Sequence, residues 1–159
     1  MEVICNTSPL VTLAKAGLLN LLPSVFQKIR IPLAVLQEIE AGPAEDPIKN
    51  QVHALSWLEV VTLEPPMTPL ASWQLGVGES EVIEWARLRA GALALLDDAL
   101  ARKTAKLLGI QVCGTLGVLA LARRKKIIPS FLESAHKLKQ AGLFLKEDMI
   151  LEVARSLEE

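Results

Sequence analysis

The chain has 159 residues, 51% of them hydrophobic, only 4% aromatic and none tyrosine, with a formal charge of −1 at pH 7. That length suits one domain of the usual ~100–200 residues, and its core must be aliphatic. The near-neutral balance excludes the strongly basic surface that marks many nucleic-acid binders, so any such contact must come from a local patch. The opening MEVICNTSPL has no basic segment leading into an apolar run, which argues against a signal peptide. No apolar stretch reaches the roughly 18–20 residues needed to span a bilayer. A soluble, cytoplasmic protein with no membrane engagement is expected. Cys5 and Cys113 lie inside apolar runs, not in a C-x-x-C pair, and read as buried free thiols in a reducing compartment.

In chain order, strand Glu2–Cys5 leads to a helix near Pro9–Ala16, with Ser8 as N-cap and Pro9 in the first turn. Strand Lys28–Ile31 precedes helix Pro32–Ala41, opened by Pro32, and helix Pro47–Leu55 follows. Strand Leu58–Leu63 runs into a proline-bearing loop, Glu64–Leu70, and then helix Glu79–Ala90. Strand Leu93–Leu96, helix Asp98–Leu108 ended by Gly109, strand Ile110–Cys113 and helix Leu116–Lys125 complete the alternation. Such alternation predicts an α/β fold with a mostly parallel sheet of about five strands and helices on both faces. GTLGVLALA after Cys113 is apolar all the way round, so its helix must be buried on several sides. Residues 129–159 read as two more helices broken near Gly142, the second striped by Ile150, Val153 and Leu157. No repeat or linker divides the chain, so 1–159 reads as one domain with that tail packed on it as a helical extension.

Ligands of open parallel sheets bind beyond the carboxyl ends of the strands. Strand one ends in Asn6-Thr7-Ser8, strand four in Asp97-Asp98 and strand five in Gly114-Thr115. Two carboxylates at one strand end repel each other unless a cation sits between them. Magnesium suits that role, since it prefers oxygen ligands and needs only one or two carboxylates. Asp98 also reads as a plain helix cap. Glu79 falls inside the apolar arc of Val82, Ile83, Trp85 and Ala86, a costly place for an unpaired carboxylate. Its first-turn position gives it a second reading, complementing the helix dipole. Glu38 lies just outside the arc of Val35, Leu36 and Ile39, where a solvated surface glutamate reads the same way.

NTSPL after strand one, IPLAVLQEI, GVGESEVIEWA and LALLDDALARKTAKLLGIQVCGTLGVLALARRKKIIP together resemble the PIN domain, and within it a prokaryotic branch related to VapC-type toxin ribonucleases. The similarity runs from about Val3 to about Val153. It implies a three-layer α/β/α sandwich with strand order 3-2-1-4-5. It puts the family's acidic positions at Asn6, Glu38, Glu79 and either Asp97 or Asp98, with Thr7 or Ser8 as the small hydroxyl beside the first. Thr115 is an accessory polar residue at the same edge. The implied chemistry is hydrolysis of RNA phosphodiesters with Mg²⁺ or Mn²⁺ held by Glu38, Glu79, Asp97 and Asp98. No nucleophilic side chain is required, and His53 and His136 read as ordinary surface residues. Asn6 departs from the pattern, because an amide oxygen ligates a metal without bringing charge. The Asp97-Asp98 pair compensates, or the site is crippled.

Arg102, Lys103 and Lys106 share one face of the helix after Asp98, and Arg123 and Arg124 belong to a second basic cluster; both read as RNA contacts near the acidic edge or as ordinary exposed cations. The resemblance further implies a homodimer restrained by a small antitoxin protein. Two other readings compete with the ribonuclease. One is a non-catalytic nucleic-acid- or protein-binding module with a degenerate metal site. The other is a receiver-type phosphoacceptor, disfavoured because strand one lacks an acidic pair and no lysine follows strand five.

Overall fold

The structure, a computed structural model, describes residues 1–63 and 75–159. The loop expected at Glu64–Leu70 lies outside the described residues. Five short strands, β1 (Val3–Cys5), β2 (Ile29–Pro32), β3 (Leu58–Val61), β4 (Leu93–Leu95) and β5 (Gln111–Cys113), form one sheet in the order β3-β2-β1-β4-β5. Every pairing is parallel. All residues of the central strands β1 and β4 are buried, as expected for strands covered on both faces.

The helices are α1 (Thr7–Lys15), α2 (Leu21–Phe26), α3 (Leu33–Ala41), α4 (Pro47–Gln51), α5 (Val77–Arg87), α6 (Ala99–Leu107), α7 (Thr115–Arg124), α8 (Phe131–Gln140) and α9 (Glu147–Ser156). A 3₁₀ turn over Val52–Ala54 continues α4. Crossovers lead outward from β1 to β2 and β3, then back past β1 to β4 and β5. With right-handed connections that reversal puts α5 and α6 on the opposite face from α2. Accordingly α5 packs on β1, β2, β4 and α6, whereas α7 packs against α2 and α8. No residue of α7 up to Arg123 is fully exposed, as its all-round apolar sequence requires. No helix among the described residues is long and apolar enough to cross a membrane.

Several expectations need correction. The N-cap of α1 is Asn6, not Ser8, which places Pro9 third in the helix. Proline is still tolerated there because first-turn N–H groups have no intrahelical partner. Pro32 is itself the N-cap of α3, after closing β2. The helix α2 was not expected at all. Gly109 and Gly142 follow α6 and α8 with φ of 77° and 108°, the left-handed geometry that glycine accepts without strain.

Candidate functional site

The register pairs Cys5 with Leu95 and Leu95 with Cys113. The residues just beyond these three strand ends therefore emerge side by side. Asn6 N–H donates to the Leu95 carbonyl at 3.1 Å, and Leu96 N–H to that of Cys113 at 3.0 Å, so the sheet stays ordered to its rim. From there Asn6, Asp97-Asp98 and Gly114-Thr115 turn directly into α1, α6 and α7.

Two hydrogen-bonded groups stand on this rim. In the first, the Thr7 hydroxyl donates to Glu38 Oε2 and Gly78 N–H donates to Oε1 at 3.2 Å. A Cβ at position 78 would lie 2.6 Å from Oε1, so the glycine makes room for this carboxylate. In the second group, Asp97 accepts Thr115 N–H at 2.7 Å and the Thr115 hydroxyl at 2.6 Å, with Ser8 Oγ at 3.4 Å. Thr7 and Ser8 are consecutive, so the start of α1 joins both groups. Asn6 precedes them and is only 6% exposed, yet its Oδ1 has no hydrogen-bond partner. Leaving such an oxygen unsatisfied costs on the order of 1–3 kcal/mol.

Glu79 and Asp98 stand beside these groups with a second task each. Glu79 Oε2 accepts Gly76 N–H at 3.2 Å, and Asp98 Oδ2 accepts Ala101 N–H at 2.9 Å, so the two carboxylates cap α5 and α6. Burial pushes the Glu79 carboxyl above its ordinary range; the Gly76 N–H opposes that shift, and the charges of Asp98 and Glu38 add to it. Glu79 therefore lies within electrostatic reach of both Asp98 and Glu38. Among the described residues, none of Glu38, Glu79, Asp97 or Asp98 forms an ion pair. Cys5 is buried and Cys113 partly so, both free. Desolvation lifts the Cys113 thiol to about 11, so it is not a nucleophile near neutrality.

The donor set suits a hard cation in chemistry, since every candidate atom is oxygen and one of them, Asn6 Oδ1, is buried and unpartnered. It is not a closed cage: among the described residues, no three His, Cys, Asp or Glu side chains group tightly enough to hold a metal ion. What these residues fit is an open site for a hard divalent cation, using one or two carboxylates and completed by water or substrate oxygen.

The basic residues divide. Arg102 lies against Gly114, where a Cβ would collide with its guanidinium, and so stands beside Asp97. Lys103 and Lys106 extend the same face of α6, and all three line a pocket that also includes Asp97. Arg123 and Arg124 are not brought to this rim. They sit at the far end of α7 from Thr115, roughly 12 Å along the axis, and Arg123 faces Glu159 at 3.8 Å. His53 and His136 are exposed and pair with Glu40 and Glu147. Sequence reasoning placed Gly114 on this edge but missed that it, like Gly78, makes room for a neighbouring side chain by having none. No local pattern marks that.

Comparison with known proteins agrees with this architecture. No curated protein matches the chain. Among solved structures, a PilT N-terminus domain protein of the hyperthermophilic archaeon Sulfolobus solfataricus P2 superposes with a TM-score of 0.54. The likeness covers 76% of this chain and 92% of that one at 22% identity, which speaks for the fold. The PIN domain profile matches residues 2–159. With the parallel 3-2-1-4-5 sheet and acids at its carboxyl edge, that match over nearly the whole length makes the chain a member of the PIN domain family, whose domains are typically nucleases.

Proposed function

We propose that this PIN domain is a Mg²⁺- or Mn²⁺-dependent endoribonuclease. The observation that carries the reading is the gathering of Glu38 and Asp97 onto consecutive residues of α1, beside Glu79 and Asp98, with no ion-pair partner among the described residues. Uncompensated carboxylates on one rim repel each other, and a divalent cation removes that cost. When bound, the ion would polarise the phosphate and lower the pKa of a water. Glu38 and Asp97, with Asn6 Oδ1, would hold it. Thr7, Gly78 and Thr115 orient the two carboxylates through the hydrogen bonds described above. Glu79 keeps its proton to a higher pH than an ordinary glutamate, so the rim reaches its full negative charge only as pH rises.

Within the family, the VapC-type branch fits best. NTSPL, the double aspartate and GTLG carry that likeness, and it brings with it a toxin role, a small antitoxin and a homodimer as parts of the proposal. Purified protein should cleave RNA when Mg²⁺ or Mn²⁺ is added and stop when the metal is chelated. Glu79→Gln should lower cleavage, less than loss of a metal-holding carboxylate does; undiminished activity in that variant removes Glu79 from the mechanism.

A second reading is favoured by Asn6. The uncharged side chain at the first position, with no tight group of three His, Cys, Asp or Glu among the described residues, suits a binding module whose metal site has decayed. An inactive wild type that binds RNA and gains cleavage in Asn6→Asp would establish that reading instead.

A further inference from the structure

Beside the acidic rim lies a pocket of about 610 Å³, walled by α6, the first residues of α7, the α8–α9 connection and α9. Its two sides differ in chemistry. Arg102, Lys103 and Lys106 stand on one face of α6, at the three- and four-residue spacing that aligns side chains along a helix. None of the three has an ion-pair partner among the described residues. Leu116, Phe144 and Met149 line the same pocket. Phe144 is 86% exposed and Met149 47%, while Leu107 on α6 is 67% exposed. Phe144 is the one exposed aromatic among the described residues. An apolar surface left open beside unpaired cations marks a binding site. Asp97 and Gly114 line the pocket as well, so it opens onto the candidate active site without a break.

We infer that this pocket receives an unstacked base of single-stranded RNA on Phe144, with the flanking phosphates on Arg102, Lys103 and Lys106. The choice of RNA as the strand rests on the ribonuclease reading. The physical case rests on complementarity: a single strand offers apolar π faces beside anionic phosphates, and one pocket is lined by an exposed aromatic ring and three cations. Its volume lies in the range of small-ligand sites, about 300–1,000 Å³. The seated base would hand the adjoining backbone to the rim at Asp97. A duplex, whose bases are stacked and paired, has nothing to place against Phe144.

The test measures binding with metal chelated, so that cleavage plays no part. A fluorescein-labelled oligoribonucleotide of about eight nucleotides is titrated by anisotropy with wild type, Phe144→Ala and Lys106→Ala, alongside an abasic strand of equal length. The expected results are at least about fivefold weaker binding by Phe144→Ala, and loss in that variant of any preference for the base-bearing strand. Lys106→Ala should weaken both strands alike and lower the salt slope by about one. Phe144 is so exposed that its replacement leaves the fold intact, and Phe144→Trp should restore affinity. The inference is overturned if wild type binds neither strand, binds both equally, or is unaffected by Phe144→Ala. It is equally overturned if Phe144→Ala changes only the sedimentation of the protein, since the pocket would then seat a second copy of the chain. Binding without cleavage in metal would sink the nuclease reading and leave the pocket standing; cleavage with no effect at Phe144 would do the reverse.

Discussion

The two ends of the sheet both carry acids and treat them in opposite ways. At the amino ends of the strands, Glu59 pairs with Lys28 at 2.9 Å and with Arg30 at 3.7 Å, and Glu2 pairs with Arg30 and Arg89, each at 3.7 Å. Arg89 also lies 3.9 Å from the centroid of the buried Trp85 ring. Lys28 holds the Glu59 carboxyl below its ordinary range. At the carboxyl ends, Glu38, Glu79, Asp97 and Asp98 receive, among the described residues, only hydroxyls and N–H groups, and Glu79 moves the other way. Hydroxyls and amides orient a carboxylate without cancelling its charge. One end is ion-paired; the other is oriented by hydroxyl and N–H donors with no ion pair among the described residues, which leaves its carboxylate oxygens available to a cation.

Substitutions should separate the two ends. The largest effect is expected from Glu38→Gln or Asp97→Asn, each lowering metal-dependent RNA cleavage by about a hundredfold or more while raising the melting temperature of the metal-free protein. Glu59→Gln at the paired end should do the opposite, leaving cleavage unchanged and slightly lowering stability. Gly78→Ala comes next. Its new Cβ would press on Glu38 Oε1 and misplace that carboxylate, costing about tenfold in cleavage with a smaller change in stability.

The smallest effect is a pH dependence. Because folding raises the Glu79 pKa, the folded protein binds the proton more tightly, and ionising Glu79 weakens the fold. Metal-free wild type should therefore lose stability relative to Glu79→Gln as pH rises from the ordinary glutamate value of 4.5 through the raised one. Denaturant titrations of both proteins across that window would reveal it. A constant difference would mean that burial and the neighbouring acids do not raise the Glu79 carboxyl in the folded protein.

Much of the fold was legible because it is written in local patterns. All five strands lie where aliphatic runs end in turn residues, and the strand order followed from the family resemblance. The helix α2 escaped notice because it has only six residues, places Pro23 within them and lacks a side-chain cap. The acids were legible to different degrees. Asp97 and Asp98 follow a strand, which is a local signal, and the structure divides their tasks between cleft and cap. Glu38 looks like a surface residue because it is one; only Thr7 and Gly78, 31 and 40 positions away, turn its carboxylate toward the rim. The pocket was illegible for the same reason. Phe144 sits in a helix connection with no periodicity, and its place beside α6 exists only in three dimensions.

Calorimetric titration of Mn²⁺ into wild type, Glu38→Gln and Glu59→Gln tests the contrast most directly. The unpaired rim predicts saturable binding in wild type, unchanged in Glu59→Gln and weakened at least about tenfold in Glu38→Gln. Absent binding in wild type, or equal binding in all three, would mean that these carboxylates hold no cation and that their lack of partners has another cause.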